Sequence, residues 1–359
     1  MRWRMPVAGN GWSTPAILGD RIWLTAAADG DRSLRALCLD RNSGKTLHDV
    51  EVFRLDSVTG VNKKNNPASP TPILEGDRAY VHFGFFGTAC LDAGGRILWK
   101  TQKLKYQPQH GPGGSPALYQ DLLIISCDGF DSQYVAALDK HSGAVKWKTA
   151  RSRGNQAYTT PLIITVEGKD QVVSPGAFKA MAYEPATGKE LWSIDYGEGF
   201  SNVPRAVYGH GLVYICSGFF QPVLFAVKPT GRGEVTKSHV VWTANRGIPL
   251  TPSPIIVGDE FYMVSDSGIA SCLDARTGKV HWQERLGGNH SASPVFADGR
   301  IYFLSEEGET TVIEPGTQYR KLAVNRIGER TLASLAVSGG AIFLRGDSHL
   351  YRLELSSRA

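Results

Sequence analysis

Apolar and polar residues alternate along this chain in runs of four to six, and Gly, Asp and Pro separate the runs. Residues 253–257 read Ser-Pro-Ile-Ile-Val, followed by a Gly258-Asp259 turn and then Glu-Phe-Tyr-Met-Val. A polar turn at Asp266-Ser267-Gly268 leads to Ile-Ala-Ser-Cys-Leu, and a loop ending at Gly278-Lys279 leads to Val-His-Trp-Gln. Short runs rich in Val, Ile, Tyr and Phe between turn formers predict four β-strands joined by hairpins. No window carries a convincing helical period.

The same module returns along the whole chain. Its lead-in prolines are Pro15, Pro72, Pro116, Pro161, Pro204, Pro254 and Pro294, with Leu335 in the equivalent place of a final copy. Their spacing of roughly 40–45 residues is that of four-stranded propeller blades. Counting lead-ins gives eight blades. Seven is the alternative count, because some copies diverge: His48 replaces Trp in the first, the seventh has no clear Trp, and the fifth carries an insertion near 232–240. The last copy offers only three strands, near 332–337, 341–345 and 349–355, while residues 1–6 resemble the missing Trp-bearing fourth strand. The expected fold is therefore an all-β, closed β-propeller over residues 1–359 as a single domain, with the N-terminal strand completing the last blade. Ring closure removes sheet edges that otherwise invite aggregation.

Several recurrent residues read as structural. Gly95, Gly143, Gly188 and Gly278 each stand four residues before a Trp, where a left-handed residue closes the hairpin. Each Trp then falls on one face of an outer strand, placed to seal its blade against the next. Asp139 and Asp274 are expected to cap the hairpin loops through their side-chain oxygens. Cys38, Cys90 and Cys272 precede Leu-Asp at one repeat position, and Cys127 and Cys216 end second strands. With no Cys-x-x-Cys pair among them, they read as small buried thiols.

A net charge of +5 and a longest basic run of Lys63-Lys64 argue against a nucleic-acid partner. No apolar stretch is long enough to span a membrane. The start, Met1-Arg2-Trp3-Arg4, has no apolar signal-peptide core. The chain as given is therefore expected to be cytosolic, or a mature or truncated form of an exported protein.

The segments Ala137-Leu138-Asp139-Lys140-His141-Ser142-Gly143-Ala144-Val145-Lys146-Trp147 and Leu273-Asp274-Ala275-Arg276-Thr277-Gly278-Lys279-Val280-His281-Trp282 resemble the tryptophan-docking repeat of pyrroloquinoline-quinone (PQQ)-binding-like propellers. The resemblance covers essentially the whole chain. It implies the propeller fold and an exported or periplasmic setting. Its functions include quinoprotein alcohol dehydrogenases and the propeller lipoprotein of the outer-membrane assembly machinery, and fold alone does not choose between them. The dehydrogenases of this family carry a disulfide between neighbouring cysteines beside the quinone and a calcium near a catalytic Asp. Here no two cysteines are neighbours and no Cys-x-x-Cys-His haem site exists, so PQQ is not expected as a cofactor. A lipoprotein signal and an obvious hydrophobic docking loop are also lacking.

Topology assigns the loops to faces. In an antiparallel four-strand blade, second–third loops and blade-to-blade connections share one face, around one mouth of the central channel. That face collects His82, His110, Asp128, Glu198, Arg205, Asp266, His290 and Glu306 as candidate site residues. It also collects Phe85, Phe86, Phe130, Phe178, Phe219 and Phe220 on second–third loops, read either as inter-blade packing or as an aromatic rim. The expected function is a monomeric binding scaffold that takes a small-molecule, carbohydrate or protein ligand at this mouth. One alternative is a metal-assisted hydrolase, with histidines and carboxylates from several blades holding a divalent metal. A quinone-dependent dehydrogenase ranks third.

Overall fold

The computed structural model describes residues 1–57, 62–151 and 154–354. Within them, eight antiparallel sheets follow one another along the chain, each built from a four-strand repeat. The sixth contains Ile255–Val257, Glu260–Val264, Ile269–Asp274 and Val280–Arg285, in that order. The innermost strands Ala16–Leu18 and Ala336–Ser338, from the first and eighth sheets, touch each other and close the ring. The protein is an eight-bladed β-propeller. No helix among the described residues is long and apolar enough to cross a membrane.

Closure uses both chain ends. Trp3–Pro6 pairs antiparallel with His349–Leu353, in the register Trp3 with Arg352, Arg4 with Tyr351, Met5 with Leu350 and Pro6 with His349. Backbone bonds from Arg2 N–H to Arg352 and from Val7 N–H to Ser348 extend the pairing at either side. The end of the expected last strand, Leu355, lies outside the described residues.

The seams between blades explain the repeat. A tryptophan on the outer strand of one blade donates its indole N–H to a carbonyl in the last turn of the next: Trp3 to Arg41, Trp99 to Lys140, Trp147 to Pro185, Trp242 to Ala275 and Trp282 to Gly316. The turn glycine of the receiving blade sits under that ring. A Cβ on Gly143 would lie 2.5 Å from Trp99, and one on Gly188 would lie 2.4 Å from Trp147. With φ at 71° and 72°, these glycines supply both the left-handed turn and the space for the incoming indole. In the first blade His48 takes the indole's place, against Gly95. Asp40, Asp139 and Asp274 each accept two backbone N–H bonds and one hydroxyl bond in these turns, as Asx caps do. All five cysteines are buried and free.

Two features, both tied to the fifth blade, depart from the sequence-based expectation. The fifth-blade insertion does not stay within its blade: Gly233–Glu234 adds a fifth, parallel strand to the outer edge of the fourth sheet, and Thr236–His239 forms a single helical turn. Trp192 is fully buried in consequence and donates to Gln171 of its own blade. The seventh blade lacks the tryptophan, as its sequence indicated, and Ala323 pairs at that position. The fifth blade's lead-in is displaced as well. Its innermost strand begins at Val207, so Ala206, not Pro204, matches the prolines of the other blades.

Candidate functional site at the channel mouth

Each lead-in descends toward the channel with side chains alternating, as an extended chain must. One residue from every blade faces a cavity of about 530 Å³ at the mouth: Trp12, Ser69, Gly113, Tyr158, Val203, Thr251, Ser291 and Leu332. Two residues further along comes a second tier: Thr14, Thr71, Ser115, Thr160, Ser253, Ser293 and Ser334, with Arg205 at the corresponding place in the fifth blade. The residues on either side of each tier member turn away, and most of them, such as Pro204 and Ala206 around Arg205, are buried. The second tier is knit by bonds from one blade to the next. Backbone N–H groups of Thr14, Thr71, Ser115, Arg205, Ser253 and Ser293 donate at 2.9–3.1 Å to the hydroxyls of Thr71, Ser115, Thr160, Ser253, Ser293 and Ser334.

The polar groups around the cavity are largely committed to one another. Gln109 N–H donates to the Gln156 amide oxygen at 2.7 Å, and the Gln156 amide nitrogen returns a bond to Gln109 at 3.1 Å. Asn65 donates to the carbonyls of His110 and Pro112. Lys64 reaches from the first–second connection to Glu306 of the seventh blade at 2.7 Å. The aromatic groups are less occupied. Phe200 and Phe219 line the cavity, and Phe220 packs against both, with ring centroids 5.5 Å from Phe200 and 5.3 Å from Phe219. Phe219 is 55% exposed and Phe220 71%. Phe86 is instead buried in a blade seam beside Phe85, so the recurrent phenylalanines divide between the two expected roles.

The candidate residues divide in the same way. His110 and Asp266 line the cavity. Asp266 is held as a loop clamp: it accepts from Leu250 N–H, Thr251 N–H and the Thr251 hydroxyl at 2.7–3.0 Å. Glu306 is buried and accepts from Lys64 and Ser291. Glu198 is exposed and lies outside the cavity lining.

His82, Asp128 and His290 are all buried, and none of them lines the cavity. His82 shares a hydrogen with Thr88 at 2.8 Å, and burial lowers its pKa to about 3. Asp128 forms a bidentate pair with Arg151 at 2.7 and 3.0 Å, with both side chains fully enclosed. Burial raises the Asp128 carboxyl, and the guanidinium opposes the shift. His290 donates its backbone N–H to Asp266; burial lowers its pKa against the pull of Glu307 and Glu306. Among the described residues no three His, Cys, Asp or Glu side chains gather as metal ligands.

A protein family described as outer membrane protein assembly factor BamB matches residues 35–284 and 131–359. The chain belongs to the BamB-type PQQ-repeat family. The chain is 25% identical to a tetrathionate hydrolase of Acidithiobacillus ferrooxidans over 287 residues, covering 73% of this chain and 51% of that protein. It is 27% identical to BamB of Shewanella oneidensis over 168 residues, covering 44% of this chain and 40% of that protein. The chain thus spans about half the length of the curated relatives it matches. The crystal structure of a quinohemoprotein alcohol dehydrogenase from Comamonas testosteroni superposes with a TM-score of 0.74 at 12% identity, covering 100% of this chain and 76% of that one. That likeness shows the fold.

In this BamB-family propeller, sequence reasoning placed the connection 155–158, with Gln156 and Tyr158, on the mouth face but did not single out Gln109 or Arg151. Gln109 could have been found from its place beside His110 in the same kind of connection. Arg151 had no local signal; it follows an ordinary outer strand, and only the fold brings it to Asp128.

Proposed function

We propose that the chain is a non-catalytic binding propeller that captures a protein segment at its mouth. The observation that carries this reading is the Phe200, Phe219 and Phe220 cluster, which leaves two large apolar rings exposed at the rim of a cavity built by all eight blades. Exposed aromatic groups beside a pocket are typical anchors for a partner, and the surrounding polar groups are satisfied internally. An assembly factor among the relatives supports a protein partner and a setting at the outer membrane. A metal-assisted hydrolase has less support, because His82, Asp128 and His290 are enclosed and Asp266 is engaged by its own loop.

The test compares co-purification from cells of the source organism for the native chain and for Phe219→Ser with Phe220→Ser. Loss of a hot-spot aromatic weakens binding by about tenfold or more. A specific partner should therefore be depleted with the variant while its melting temperature holds. An unchanged partner set with the folded variant would refute the reading.

A further inference from the structure

We infer that the central channel binds a small oxyanion of the sulfate or phosphate type on Arg205, one tier below the mouth cavity. Arg205 occupies the fifth-blade place in the second tier, where the other seven blades carry Ser or Thr. Its backbone N–H donates to Ser253 at 2.9 Å, the bond that each neighbouring lead-in makes to the next hydroxyl. Register therefore directs its side chain to the same side as those hydroxyls, toward the axis, while Pro204 and Ala206 are buried.

The tier is rich in donors. Six of its hydroxyls have already accepted a backbone N–H from the preceding blade. Among the described residues none of these six has a protein acceptor for its own hydrogen. The Arg205 guanidinium, with five N–H groups, likewise has no carboxylate or other acceptor partner there. No carboxylate stands in the tier. The next tier down is apolar near Arg205, with Leu162, Val207 and Ile255. Arg205 itself is exposed to the solvent of the channel, and the surrounding protein lowers its pKa by partial desolvation, with no opposing charge to offset it.

An unpaired cation in a tier of unspent O–H groups is complementary to a compact anion with several acceptor oxygens, and charge-assisted bonds of this kind are the stronger ones. A metal ion or an organic cation would find no negative charge in the tier and would be repelled by Arg205. This site stands apart from the aromatic rim and does not require the mouth to hold a protein.

The experiment is calorimetric titration of the full chain with sodium sulfate, at ionic strength held constant with sodium chloride. Arg205→Ser restores the hydroxyl that the other blades carry, and Arg205→Gln serves if the serine variant does not fold. The native chain should bind one sulfate, and the variant should bind at least about tenfold more weakly. Sulfate raises the melting temperature of most proteins by exclusion from their surfaces, an effect both chains share. The native chain should show an additional rise from specific binding. Phe219→Ser should leave sulfate binding unchanged, which separates this site from the rim. Equal sulfate affinity in the native chain and a folded Arg205 variant, or no saturable binding in either, would overturn the proposal.

Discussion

Acidification tests the burial of His82. Its ring lies fully enclosed at the end of Arg78–His82, with Nδ1 bonded to Thr88 and Nε2 without a partner. Burial lowers its pKa from 6.5 to about 3. The unfolded chain takes up a proton near the ordinary value, whereas the folded chain resists it until far lower pH. Stability from this group is therefore present above pH 6.5 and falls as pH drops from there toward 3. At pH 5 the loss is about 2 kcal/mol, which for a chain of this size is about 3 °C in Tm. His290 adds a loss of the same sign, reduced by the nearby Glu307 and Glu306. Tm measured at pH 7 and pH 5 on the native chain and on His82→Gln isolates the term, since the carboxylates contribute equally to both. The variant starts lower, through lost packing, but should fall by about 3 °C less between the two pH values. Parallel losses in the two chains would refute a neutral, buried His82.

Three further perturbations bear on the closure and the seams. Deleting residues 1–6 should leave the eighth blade without its outer strand, and light scattering should detect association at a lower Tm; a monomer with native Tm would contradict the closure. Gly143→Ala should destabilise by more than about 1 kcal/mol and Trp282→Ala by about 3–5 kcal/mol in denaturant titrations, whereas either change within error of the native chain would mean the seams are loosely packed.

The fold was legible because its determinants are local and repeated. Gly143, Asp139 and Trp147 sit at fixed offsets in sequence, and the hairpin that joins them needs only those residues. The count of eight blades, with seven as the alternative, was therefore readable from spacing, and closure from the likeness of residues 1–6 to a Trp-bearing outer strand. The site was legible only to the level of a face. Asp128 and His82 sit on the expected loop side, but whether the chain turns them out or under depends on neighbours such as Arg151 and Thr88. The displaced fifth lead-in had the same cause. Pro204 looked like its counterparts, and the true register shows only in the pairing of Val207 with Tyr214 and in the bond from Arg205 to Ser253.

Pairing the two chain ends in one blade also sets how the molecule yields to a pull. Trp3 lies opposite Arg352, so the outward-leading ends of the two strands are neighbours at the face away from the mouth. Tension applied between residues 1 and 354 would load the first bonds of the pair one at a time, as a zipper opens, instead of sharing force across all of them. The ring should open at its closing strand, at low force, before any of the seven continuous blades unravels. The mouth, on the opposite face, would stay accessible on a molecule anchored by either end.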